Sequence, residues 1–191
     1  MGWFSDDIET MDHLFVHSLQ DIYYAEQQIE AALPAMIEKA SDVELRGLFE
    51  AHLSETRGQI NRLDRVFKML ERTPQPHKCP AIDGILAEAS EIAGDVGDQV
   101  VLNAALIAAA QAVEHYEITR YGTLASWAKL LGHAEAADLL FDSLNEEKAT
   151  DKALSDIAKR KINKEALARQ PKPLTVEEKL EEALIGIPPL G

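Results

Sequence analysis

Apolar side chains recur every three or four residues from about Thr10 to Ala40. Phe15, Leu19, Ile22, Tyr23, Ile29, Leu33, Met36 and Ile37 trace one stripe, which predicts a long amphipathic helix. Glu26 stands on that stripe, and Pro34 predicts a bend or a lost hydrogen bond. A second stripe runs to about Arg72 through Leu45, Leu48, His52, Glu55, Gln59, Leu63, Val66 and Leu70. It opens on Ser41-Asp42-Val43-Glu44, a capping-box pattern in which Ser41 and Glu44 satisfy free amides. Gly47 and Gly58 either weaken this helix or admit a close neighbour. Three prolines and Cys79 mark Thr73–Pro80 as a loop. A shorter helix follows from about Ala81 to Ala93, ended by Gly94 and Gly97. The third long helix is the Ala-rich, proline-free run Val100–Leu131, stopped by Gly132. The fourth spans about His133–Asn163, with Leu140, Leu144, Glu147, Asp151, Leu154 and Ala158 on one face.

Each long helix thus carries an acidic residue inside its apolar stripe. Glu114 shares its face with Ile107, Ala110, Gln111, Glu117, Ile118 and Tyr121. Buried carboxylates are costly unless they are paired or bound to metal. The helices also repeat. Phe49–Glu55 aligns with Phe141–Glu147, so Glu55 matches Glu147 and Gln59 matches Asp151; Tyr24-Ala25-Glu26 aligns with Ala112-Val113-Glu114. Two helix hairpins joined by a long crossover carrying a fifth, short helix are the ferritin-like form of the four-helix bundle. The expected fold is therefore all-α, with one domain over residues 1–165 and a partly helical or disordered tail over 166–191, where Pro171 and Pro173 break helices. In this fold the corners of a dinuclear metal site are Glu26, Glu55, Glu114 and Glu147. Oxygen ligands suit iron, with manganese the alternative.

Composition narrows the classes. Net charge is −14 over 191 residues, against phosphate-binding and nucleic-acid partners. A single cysteine rules out an intrachain disulfide and fits a reducing compartment. Residues 1–12 lack the pattern of a signal peptide, and no apolar run nears the roughly 18 residues of a membrane helix. The expectation is a cytoplasmic protein without a membrane partner. Ile82, Ile85, Leu86 and Ile92 of the crossover helix are candidates for a homodimer patch.

The segments Ala51–Thr56, Gly58-Gln59-Ile60, Ala104–Ile118, Tyr121–Leu124 and Glu146–Asp151 occur in the order seen in the YciE/YciF-type ferritin-like bacterial stress proteins, which the chain resembles over about residues 8–162. That family is similar in fold to rubrerythrin and bacterioferritin. The resemblance implies a dimer and a di-iron centre with two ions per chain. It also brings a departure: the His expected three residues after each Glu is replaced by Gly58 and by Thr150. Glu117 resembles rubrerythrin's extra carboxylate. His52, Gln59 and Asp151, each one turn from Glu55 or Glu147, are the candidate substitutes.

The functional expectation is a carboxylate-rich dinuclear centre with ferroxidase or peroxide-reducing chemistry, taking peroxide or dioxygen. The competing expectation is a non-enzymatic structural or stress protein with a degenerate or empty site. Tyr23 and Tyr121 read as core, and His115 as structural or interfacial. His13 and His17, one turn apart, read as surface histidines, and His77 with Cys79 offers too few ligands for zinc.

Overall fold

The computed structural model describes residues 8–169; the expectations for residues 1–7 and for most of the tail lie outside them. Six helices follow in order: α1 (Met11–Lys39), α2 (Val43–Met69), α3 (Pro80–Asp95), α4 (Gln99–Leu130), α5 (Ala134–Ile157) and α6 (Asn163–Leu167). No strand occurs among the described residues, so the chain is the expected all-α bundle. Helix α1 packs on α2 and α4, and α5 on α2 and most extensively on α4. The long helices therefore form a ring α1–α2–α5–α4, with the crossover joining the diagonal pair α2 and α4. Helix α3, in that crossover, covers α4 and α1. Among the described residues, no helix is long and apolar enough to cross a membrane.

Local chemistry sets the helix ends. Thr10 caps α1, accepting from the His13 amide at 3.1 Å. The cap of α2 differs from the expected one. Asp42 accepts from the amides of Glu44 and Leu45 at 3.0 and 2.9 Å. Ser41 is turned to the first turns of α4, accepting from Asn103 Nδ2 at 2.9 Å and donating to the Gln99 carbonyl at 3.3 Å. A carboxylate at the positive end of the helix outcompetes a hydroxyl. Asp98 caps α4 in the same way. Pro80 opens α3, where its missing N–H costs nothing. Helix α3 runs past Gly94 to Asp95. Gly132, at φ +86°, ends α4 in the left-handed conformation that glycine favours. Pro34 lies on an exposed face inside a continuous α1, where a lost hydrogen bond can be met by water. Neither Gly47 nor Gly58 marks a close helix approach: nothing lies within 4 Å of a Cβ built at Gly47, and only Arg62 Nη1, at 3.8 Å, near one at Gly58.

The fourth long helix is not α-helical to Asn163. Ala158–Ile162 form a π-helical turn before α6. That turn places Arg160 and Lys161 against Glu44 and Asp42, clamping the far end of α5 to the start of α2. Helix α6 crosses the expected domain boundary after residue 165.

Two apolar clusters form the core. One joins Phe15, Leu19, Ile22, Leu63, Val66, Phe67, Leu124 and Leu140. The other joins Leu45, Phe49, Leu102, Leu106, Leu154, Ile157 and Ile162. On α2, α4 and α5 the sequence between these clusters is polar and buried: His52, Thr56 and Gln59; Glu114 and Glu117; Glu147 and Thr150. The candidate site is this layer, closed off from solvent by apolar packing above and below. Of the crossover residues proposed for a dimer patch, Ile82 is fully buried on the chain's own core, with Ile85 and Leu86 packed against it; only Ile92 is well exposed. Ile82, Ile85 and Leu86 thus pack on the chain's own core, leaving Ile92 of the four on the outer side.

Candidate metal centre

The layer brings together His52, Glu114, Glu117 and Glu147, with one ligand atom from each within 4.8 Å of the others. Helix periodicity explains the placement of Glu114 and Glu117, three residues apart and on one face of α4. His52 Nε2 lies 3.5 Å from Glu114 Oε1, and it is the only basic group at ion-pair distance from the cluster among the described residues. Glu26, fully buried on α1, adjoins from the same α1–α2 hairpin as His52. It accepts a hydrogen bond from the Tyr121 hydroxyl. Tyr121 is thus core by burial, as expected, but its polar end belongs to the site. Tyr23, expected in the core, is half-buried and packs against it, edge-on to Phe67 at 5.6 Å between ring centres.

The other expected residues are placed differently. Gln59 is fully buried and donates from Nε2 to Glu147, and at 3.1 Å to Glu146. It holds carboxylates from α5 in position. Glu55 is half-buried at the rim, accepting from the Thr150 hydroxyl at 3.1 Å. Asp151 lies further out, accepting from Gln111 Nε2 at 2.8 Å, with His115 Nε2 at 3.4 Å. Of the four corners, Glu26, Glu114 and Glu147 therefore face inward together and Glu55 stands aside.

Three participants were not among the expected site residues, although spacing already put Gln111 on the Glu114 face and Thr150 one turn after Glu147. Thr150 holds Glu55. Arg62 pairs with Glu146 and donates to the Ser143 hydroxyl at 3.0 Å. Gln111 fixes Asp151 and also donates to Ser155 at 2.9 Å. Each acts across a helix interface, which periodicity along one helix does not reveal.

Burial controls the electrostatics. It pushes Glu114 up to about 11, helped by the charges of Glu147, Asp151 and Glu55. Glu147 is pushed up to about 7, again mainly by burial. Glu26 and Glu117 are raised well above the usual carboxylate range by burial and by neighbouring carboxylates. Burial pushes His52 down to about 4, so its imidazole is neutral and can offer a lone pair. Without a cation, then, this layer holds protons against its own chemistry.

The donor set fits a metal. Glu26 Oε2, His52 Nδ1, Gln59 Oε1, Glu114 Oε2, both oxygens of Glu117 and Glu147 Oε2 are buried and, with the carboxyls ionised, lack a hydrogen-bond partner among the described residues; only protonation lets Glu26 pair with Glu117 and Glu114 with Glu147. Buried polar groups are nearly always satisfied, and this concentration of acceptors in one layer matches what a hard cation binds. A small cavity of about 10 Å³ abuts the layer under α3, lined by His52, Glu114, Ile29, Leu33, Val113 and Leu86 among others.

Comparison with known proteins agrees with this architecture. Residues 10–167 match the family described as a domain of unknown function, DUF892. Protein YciF of Escherichia coli K12 is 45% identical over 161 residues, covering 84% of this chain and 97% of YciF. The crystal structure of the E. coli stress protein YciF superposes with a TM-score of 0.77 at 44% identity, over 82% of this chain and 99% of that one. A candidate structural protein of Rhodopseudomonas palustris, YcfI, superposes with a TM-score of 0.78 at 55% identity, over 80% and 98%. A buried His and Glu layer inside an all-α bundle, a family match across nearly all the described residues and a relative this similar lead to one assignment: the chain belongs to the DUF892 family of YciF-like proteins.

Proposed function

We propose that the buried layer binds a pair of iron ions and that the protein reduces peroxide or dioxygen there as part of a bacterial stress response. The observation that carries this reading is the set of buried, partnerless carboxylate oxygens facing a neutral imidazole. An ionised carboxylate in such a place costs several kcal/mol unless a cation offsets it.

Glu114, Glu117 and Glu147 would supply most of the oxygen ligands, with a nitrogen from His52 and a further carboxylate from Glu26, both on the α1–α2 hairpin. Gln59 orients Glu147, fixing which oxygen faces inward. Tyr121 holds a proton beside Glu26 and can pass it to that carboxylate. Ile29, Leu33 and Val113 exclude bulk water from the His52 side. Two ferrous ions held by these residues would together have the two electrons that reducing a peroxide to water requires. Glu55 and Asp151, at the rim, serve as acidic groups on the approach rather than in the innermost set.

The competing reading is a structural stress protein whose centre has lost its metal. Gly58 and Thr150, standing where histidines complete related di-iron sites, favour it, and YcfI, described as a candidate structural protein, is similar. Anaerobic titration of the metal-free protein with ferrous iron separates the two. Uptake of two ions per chain, lost in Glu114→Ala, followed by peroxide consumption, supports the redox protein. Absence of uptake leaves the structural one.

A further inference from the structure

A second cluster lies on the surface, where the crossover loop meets α1. His77 Nδ1 is 2.8 Å from Asp21 Oδ1, and His17 Nε2 is 3.7 Å from Asp21 Oδ2. The two imidazole rings are 4.6 Å apart between centres and tilted by 52°. One ligand atom from each of the three residues lies within 4.8 Å of the others. We infer that His17, Asp21 and His77 form a binding site for a borderline divalent ion such as zinc, separate from the buried layer and independent of what that layer binds.

The chemistry is that of a three-ligand site. Two imidazole nitrogens and a carboxylate are common zinc ligands, and a three-ligand site keeps a further position for water. Nitrogen or oxygen ligands about 2.1 Å from a tetrahedral zinc stand about 3.4 Å from one another. The two separations at Asp21 bracket that value, so small side-chain rotations close the site. Each imidazole nitrogen that binds gives up any hydrogen it carries, to its other ring nitrogen or to solvent, and no electron moves.

The backbone is already prepared. His17 and Asp21 are one helical turn apart on α1 and face the same way. The His77 amide donates to the Gln20 carbonyl at 3.2 Å, which docks the Pro-rich loop on α1 before any ion arrives. Asp21 and Glu26 are five residues apart, so they differ by about 140° around α1 and point into different surroundings. The side chain of Asp21 is 15% exposed and those of His17 and His77 are 34% and 54% exposed, so solvent ions reach the site directly. Bound metal would tie the crossover, and with it α3, to α1. His13, one turn before His17, lies outside the cluster.

The test is zinc titration of the full-length metal-free protein by calorimetry, with hydrogen exchange of residues 73–79 as a second readout. Wild type is expected to bind one more zinc per chain than His17→Ala/His77→Ala. Glu114→Ala/Glu117→Ala is expected to keep that ion, and His13→Ala to change nothing. Zinc should slow exchange of the loop in wild type and in Glu114→Ala/Glu117→Ala only where both His17 and His77 are present. Asp21→Asn, which preserves size, should weaken the same binding event should the double variant prove less helical by circular dichroism. Equal stoichiometry and affinity in wild type and His17→Ala/His77→Ala, or zinc-independent loop exchange, would overturn the inference.

Discussion

His52 Nε2 on α2 and Glu114 Oε1 on α4 lie 3.5 Å apart with both side chains almost wholly buried. The pair spans a diagonal of the bundle. Because burial holds His52 neutral, the contact is not a full ion pair, and it leaves Nδ1 and Glu114 Oε2 without partners. Such an arrangement could hold a cation between the two side chains. His52→Leu keeps the volume and apolar packing but removes the nitrogen. Iron affinity should fall by more than the roughly 10- to 100-fold that loss of a ligand's own hydrogen-bond partner typically costs. Competition with a chelator of known affinity measures it.

Glu117 offers the sharpest separation of stability from function. Both its oxygens are buried among other carboxylates, and its one polar neighbour at hydrogen-bond range is the equally buried Glu26 carboxyl. Glu117→Met removes that cost at similar volume. In the presence of chelator the variant should be more stable than wild type by about 1–3 kcal/mol, read from urea unfolding. Its iron uptake should drop in the same preparation. A loss of stability would mean that Glu117 has a partner that this account lacks.

Metal and protons compete for the same oxygens. Burial holds Glu147 at about 7 and Glu114 at about 11, so near neutral pH the metal-free folded chain keeps protons on these carboxyls. Binding must release them, and iron affinity should rise as pH rises from about 6 to about 8. Calorimetry in buffers of different ionisation enthalpy counts the protons released. The same shifts bear on stability. The unfolded chain loses these protons near the ordinary carboxylate value while the folded chain retains them. Metal-free stability should therefore fall as pH climbs above that value, and bound metal should remove the trend.

Gly47 sits in the second turn of α2, exposed, and open space surrounds the position of a Cβ. Gly47→Ala should stabilise the protein by about 0.5–1 kcal/mol by restricting the unfolded chain, with metal binding unchanged. Thermal unfolding of the variant beside wild type checks it.

Much of the bundle could be read from periodicity. The four long helices, the short crossover helix and the inward-facing Glu26, Glu114, Glu117 and Glu147 all follow from which residues share a face. What lay beyond the sequence was contact between helices. Spacing put Glu55 on an apolar stripe, yet Thr150 holds it at the rim. Tyr121 counted as core until its hydroxyl proved to reach Glu26 on another helix. Ser41 matched a capping box, but Asp42 brings a charge to the helix end and Ser41 turns to Asn103. His17 and His77 are 60 residues apart in sequence, and only the docking of the crossover loop unites them on Asp21.

We propose that the buried layer holds two iron ions, and anomalous scattering at the iron edge, from crystals of the iron-loaded chain, tests this. Two peaks should lie among Glu26, His52, Glu114, Glu117 and Glu147, both absent from crystals of Glu114→Ala. A map with no anomalous peak in that layer, its carboxyls hydrogen-bonded to one another or to water, would contradict it.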